Sequence, residues 1–275
     1  MLRLIILLIL ALIHQLAFSQ TINGVVIKAG TQEKLPYVSV GLKNKSKGTV
    51  SDLEGRFTLN VSSVDTLIFS SVGYKHLIVP VAKVGEMVYL QQEVRELGEI
   101  IVRSDTKVST AKIGNISAKR TMLFGGTNQY AMLLKSNIAE SVVLDELYFN
   151  LKPDILESKR WESTVKIRIY ANENGRPGKD ILTENLIVQL KKKQRKLQVD
   201  LAKYNITIPE EGVFIGFDFI GYLDANNQFI PYSKDDRPLS LRVEFAEAQS
   251  DNTTFIKYFG TDWYPVYYPD KDGCV

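Results

Sequence analysis

The sequence predicts an all-β protein, two successive β-sandwiches behind an N-terminal export leader. Short apolar runs repeat along the chain with mostly period-two spacing, so that one face of each run can be buried while the other stays wet. Gly, Pro, Asn and Asp punctuate those runs at the intervals expected of turns. Ahead of them stands a single unbroken apolar stretch with a cation in front of it, and none of comparable apolarity follows.

That stretch runs from Leu4 to Ile13, after Arg3 and before Ala17-Phe18-Ser19, the three-part layout of a secretory signal peptide over residues 1–19. It is shorter than the ~20 residues that cross a hydrocarbon core, which favours a cleaved leader over an uncleaved anchor and leaves no transmembrane span after cleavage. Gln20 occupies the position where a lipoprotein needs its acylated cysteine. Of 275 residues, 256 then remain, enough for about two domains. Arg3 departs with the leader, so 33 basic side chains face 31 acidic ones, and the near-neutral balance provides no general field for nucleic acid. The one cysteine, Cys274, excludes an internal disulfide, so the fold must rest on its hydrophobic cores.

Over residues 20–103 the apolar positions Ile22, Val26, Val38, Val40, Leu42, Phe57, Leu59, Val61, Leu67, Phe69 and Val72 describe a small antiparallel sandwich. Leu35-Pro36-Tyr37 is expected to open an edge strand, because proline cannot donate to a ladder. Ser51-Asp52-Leu53-Glu54-Gly55 has the chemistry of a tight turn feeding the buried Phe57.

The ordered motifs Gly24-Val25-Val26, Lys34 to Val40, Gly48 to Asp52, Gly55-Arg56-Phe57, Asp65 to Ser70, Gly73-Tyr74 and Glu96 to Val102 resemble the carboxypeptidase-regulatory-like domain common in Bacteroidetes envelope proteins, including the N-terminal extensions of TonB-dependent receptors. The resemblance covers roughly residues 21–103 and implies a seven-stranded, prealbumin-like β-sandwich that acts as an accessory module. Ser51 stands where the family usually has threonine, and Gly98 and Ile100 depart slightly from its closing motif. The remaining length is too short for the plug and barrel of such a receptor.

Residues 104–118 turn polar and basic and are expected to form a linker. From 119 to 275 a second sandwich is expected, loosely resembling jelly-roll domains of secreted bacterial proteins. Leu147, Phe149 and Leu151 alternate with Glu146, Tyr148 and Asn150; Val165, Ile167 and Ile169 alternate with Lys166 and Arg168; Leu241, Val243 and Phe245 alternate with Arg242 and Glu244. Each set predicts a strand with one wet face. Val213–Ile220 is apolar except at Gly216 and Asp218, as in a strand covered on both sides. Turns are expected at 172–178 and 209–212, and 128–141 is the one stretch where a short helix is expected.

Catalytic chemistry is sparse. His76 is the only histidine after the leader, so neither a His-rich zinc site nor a convincing Ser-His-Asp set can be assembled, and no phosphate-binding glycine motif is present. No metal or other cofactor is expected. A carboxylate pair drawn from Glu140, Asp145, Asp218, Asp224, Asp235, Asp236 and Glu244 would support the alternative reading, a carbohydrate-active hydrolase. The favoured expectation is a non-catalytic accessory protein, periplasmic or attached to the outer membrane or cell surface, that binds an envelope protein or a polysaccharide. Two segments offer binding chemistry. A basic run, Lys191, Lys192, Lys193, Arg195 and Lys196, is expected in a hairpin, and the C-terminal aromatics Trp263, Tyr264, Tyr267 and Tyr268 can stack on sugars or anchor an interface. Each competes with a plainer role, as a solvated turn guarding a sheet edge or as core.

Overall fold

Among the described residues the first region has seven strands: β1 (Ser19–Lys28), β2 (Ser39–Leu42), β3 (Gly48–Val50), β4 (Arg56–Ser62), β5 (Thr66–Ser70), β6 (Leu77–Pro80) and β7 (Met87–Leu90). The structure is a computed structural model that describes residues 19–93, 110–113, 118–124, 128–136, 138, 142–152, 162–191, 194–224, 226, 228–231, 241–246 and 254–266. The strands form two sheets, β4-β1-β7 and β3-β2-β5-β6, with β1 and β7 parallel and the other pairs antiparallel. Val26, Val40, Leu42, Phe57, Leu59, Val61, Leu67 and Phe69 fill the space between them, as their alternation predicts.

Two expectations fail here. Leu35-Pro36-Tyr37 is a turn, because Tyr37 takes a left-handed conformation (φ 60°) and the strand begins only at Ser39. The buried Ser51 hydroxyl holds that turn, accepting from the Val38 amide and donating to the Leu35 carbonyl, each at 2.9 Å. Val72, for its part, packs into the core of the second region.

The second region contains β8 (Ala118–Phe124), β9 (Asn128–Leu134), β10 (Val142–Leu144), β11 (Glu146–Lys152), β12 (Glu162–Glu173), β13 (Arg176–Asp180), β14 (Leu186–Leu190), β15 (Lys196–Asp200), β16 (Ile206–Ile208), β17 (Val213–Leu223), β18 (Phe229–Pro231), β19 (Leu241–Ala246), β20 (Thr254–Tyr258) and β21 (Tyr264–Pro265). A four-stranded sheet runs β15-β11-β19-β8. The larger sheet runs β13-β12-β17-β9-β20-β21, with β14 also on β12 and β18 on β17. Leu147, Leu151, Leu197 and Val199 from the first meet Val165, Ile167, Ile169, Phe217 and Phe219 from the second in one core.

Where a helix is expected within 128–141, residues 128–134 form the strand β9, and 137 and 139–141 lie outside the described residues. Tyr130 faces one core while Ala131 and Leu133 face another, so burial on both sides removes the alternation that marks a strand. β12 likewise has no wet face: Lys166 and Arg168 are buried along with the apolar residues between them, because the first region covers the sheet. The strand β17 is covered on both sides, as its composition predicts. The turn at 172–178 is a β12–β13 hairpin, with Asn174 and Gly175 both at positive φ.

The two regions pack sheet on sheet. Ser39 and Val50, on the outer side of β2 and β3, line the same crevice as Asp218 and Ile220 of β17. The Tyr37 ring meets Phe229 edge-on at 5.0 Å. The Asn44 amide donates to the Gly260 carbonyl at 2.7 Å. Four β-layers are thus stacked, and the interior between the two regions holds buried charges beside an apolar cluster of Val50, Ile220 and Phe229.

Candidate functional site

Period-two spacing on β12 and β17 places Lys166, Arg168, Gly216 and Asp218 on the side facing the first region. Strand register then brings them into rows: Lys166 opposite Asp218, Asp218 opposite Gln129 of β9, and Gln129 opposite Lys257 of β20. In the next row Arg168 stands opposite Gly216. A Cβ at Gly216 would come within 2.7 Å of the Tyr170 ring and 3.1 Å of the Arg168 Cβ, so glycine there makes room for both side chains.

The two buried cations of β12 each have a hydrogen-bond acceptor. Arg168 forms a two-pronged pair with Asp180, its Nε donating to Oδ1 at 3.1 Å and its Nη2 to Oδ2. It also lies 3.9 Å from Asp218 Oδ2 and 5.0 Å above the Tyr170 ring. Lys166, 1% exposed, donates from Nζ to the Tyr37 carbonyl at 2.7 Å. Neither carboxylate oxygen of Asp218 accepts a hydrogen bond, and its interactions in this layer are electrostatic. Burial pushes the Asp218 carboxyl up to about 6 and the Lys166 ammonium down to about 8. Burial also opposes the charge on Arg168, but Asp180 more than restores it and the guanidinium stays ionised. His76 sits at the rim, bonded to the Ser70 hydroxyl at 3.1 Å, and desolvation followed by the cations Lys257 and Arg168 holds its pKa below the usual value.

The crevice here, lined by Ser39, Val50, Gln129, Asp218, Ile220 and Phe259, is of water size and offers no space to a sugar. Asp218 therefore does not serve the hydrolase reading. Asp224 accepts from the Asn226 and Gln228 amides within its own turn. Asp145 is exposed ahead of β11, and Glu244 stands in β19 opposite Thr121. Glu140, Asp235 and Asp236 lie outside the described residues. Among the described residues no group of three or more His, Cys, Asp or Glu is placed to hold a metal.

The expected aromatic segment divides. Trp263 is core: it is 8% exposed, meets the Tyr170 ring edge-on at 5.3 Å, and its carbonyl accepts from Arg176. Tyr264 is exposed on β21, while Tyr267 and Tyr268 lie outside the described residues. The basic run does not form a hairpin, since β14 and β15 belong to different sheets and the run crosses from one to the other. Lys191, Arg195 and Lys196 are exposed; Lys192 and Lys193 lie outside the described residues. Gln194 shapes the crossing by accepting from the Lys191 amide and donating to the Lys196 carbonyl.

Two exposed surfaces escaped the sequence reading. On the outer face of β11 and β15, Tyr148 and Gln198 both donate to the Glu146 carboxylate, Gln198 at 2.8 Å, and these bonds lower the Glu146 pKa. On β7, Met87 and Tyr89 project outward, and among the described residues the strand is paired along one side only, by β1. Exposed aromatic or sulfur side chains at alternate positions of a strand were the available signal.

Residues 22–102 match the profile of the family described as CarboxypepD_reg-like domain, so the first sandwich is a domain of that kind. The match spans under a third of the chain. No curated protein matches the sequence. Among the described residues no helix is long and apolar enough to cross a membrane.

Proposed function

We propose that the chain is an exported, non-catalytic accessory protein of a Gram-negative cell envelope of the Bacteroidetes type, which binds a protein partner or a glycan there. In this reading residues 20–103 are the regulatory-like sandwich, 104–118 the linker and 119–275 a second sandwich of jelly-roll type. The observation that carries it is the buried ionic layer. Lys166, Arg168, Asp180 and Asp218 are engaged with one another and with Tyr37, so the most reactive groups join two sandwiches into one block and face nothing larger than a water-sized crevice. The match at residues 22–102 supports a binding or regulatory role for the first sandwich. The leader-like N-terminus supports export.

A block of this kind works through its outer edges and faces. For a protein partner the β7 edge is the best candidate, since methionine and tyrosine on a strand edge that has no neighbour among the described residues suit strand addition. The basic run and Tyr264 remain candidates for contact as well. The test is a pull-down from envelope fractions with the mature protein, run beside a polysaccharide array. A specific membrane protein captured by the wild type and lost with Met87→Asp supports the protein-partner form, and a retained glycan supports the other. Turnover of a bound glycan overturns the non-catalytic reading.

A further inference from the structure

The crevice between the sandwiches is walled by polar residues from three strands. Ser39 comes from β2 of the first region, Gln129 from β9 and Asp218 from β17 of the second, and Val50, Ile220 and Phe259 close it with apolar surface. Asp218 is 3% exposed and Ser39 9%. Both Asp218 carboxylate oxygens are buried without a hydrogen bond, although an ionised carboxylate is among the groups that most need donors once out of water. The cations of the layer do not meet that need. The Lys166 ammonium is turned to the Tyr37 carbonyl, and the Arg168 guanidinium is taken by Asp180 and reaches Asp218 only at 3.9 Å.

We propose that the crevice is a hydration site: it holds one ordered water that bridges the Asp218 carboxylate to the Ser39 hydroxyl and the Gln129 amide, tying β2 of the first sandwich to β9 and β17 of the second. Its size admits a single water. Its charge selects a neutral occupant. Lys166, Arg168 and Lys257 already act on Asp218, with Asp180 as the other anion, so a further cation is repelled and an anion would be set against Asp218 itself. Polar groups from three strands provide the two to four partners that an internal water needs, whereas an apolar cavity stays dry. Water also answers both protonation states of Asp218, donating to the carboxylate and accepting from the acid. Ser39 follows Tyr37 by two residues, so the water and the Lys166 bond clamp the same short segment of the first sandwich. The site is independent of which protein or glycan the chain binds.

A high-resolution crystal structure of the full mature protein tests it, beside oxygen-17 relaxation dispersion of the solvent, which counts waters held far longer than those on the surface. Density for one water at about 2.5–3.2 Å from an Asp218 oxygen and from Ser39 Oγ or the Gln129 amide is expected. In solution Ser39→Val, whose larger side chain fills the crevice, should lose one long-lived water per molecule relative to the wild type. An empty crevice overturns the proposal, as does an Asp218 carboxylate turned onto a protein donor. Density with several contacts near about 2.4 Å means a bound cation and overturns it too. So does an unchanged water count in a folded Ser39→Val. Should that variant fail to fold, the density in the wild-type crystal decides alone.

Discussion

Lys166 Nζ donates at 2.7 Å to the carbonyl of Tyr37, a residue 129 positions earlier in the chain. The bond depends on two local peculiarities: Tyr37 is left-handed, which turns its carbonyl toward the second region, and Lys166 is placed on the covered side of β12 by the register with Asp218. It converts a β-turn of the first sandwich into a clamp on the second. The ammonium is desolvated to make it, so its contribution depends on having both Tyr37 and Asp218 as partners.

Lys166→Met should therefore destabilise the protein by ~3 kcal/mol, since it strands the Tyr37 carbonyl and leaves Asp218 without its cross-strand partner. Adding Asp218→Leu should recover most of the loss, because a buried pair replaced by apolar groups of similar volume is near neutral. Urea unfolding of the two single variants and the double variant measures this. If the double variant loses the sum of the single losses, the two residues do not act as a pair.

Asp218 should also give the interface a pH dependence. Burial raises its carboxyl to about 6, so between about 6 and its ordinary value the folded protein holds a proton that the unfolded chain has released. A group that binds more protons when folded gains stability as pH falls through that window, and above it the burial penalty is present in full. Relative to Asp218→Asn, which cannot titrate, the wild type should gain roughly 2–3 kcal/mol between about pH 7.5 and about pH 4.5. A constant difference between the two proteins across that range would falsify the assignment.

Trp263 and Tyr264 are neighbours with opposite surroundings. Trp263→Ala removes a ring packed on Tyr170 and should cost ~3–5 kcal/mol. Tyr264→Ala acts on an exposed position and should stay within about 0.5–1 kcal/mol. Thermal unfolding of the two variants decides it, and a small effect of Trp263→Ala would return that ring to the surface candidates.

Period two was readable wherever one side of a strand met water. Phe57, Leu59 and Val61 against Arg56, Thr58 and Asn60 is such a case, and the first sandwich follows from it. The same rule misled at Lys166 and Arg168, because the cover over them comes from residues more than a hundred positions away and leaves no periodic trace. It was silent at Tyr130 and Ala131, each buried against a different core. The Tyr148 face was half visible: its exposed position follows from alternation with Leu147 and Phe149, but the Gln198 that ties down Glu146 is a neighbour only through strand register.

Gly260 and Gly30 separate the cost of backbone conformation from the cost of the contact between sandwiches. Both are left-handed, at φ 67° and 76°. Around Gly30 a Cβ would meet nothing within 4 Å, so Gly30→Ala should cost only the conformational ~1–2 kcal/mol. Around Gly260 the Cβ would run into the Leu42 carbonyl of the first sandwich, where the Gly260 carbonyl already accepts from Asn44. Gly260→Ala should therefore cost ~1–3 kcal/mol more than Gly30→Ala, because backbone rather than a flexible side chain has to move. It should also open the chain between the sandwiches to limited proteolysis. Equal losses for the two variants, with unchanged proteolysis, would mean that the regions do not touch at Gly260 in solution.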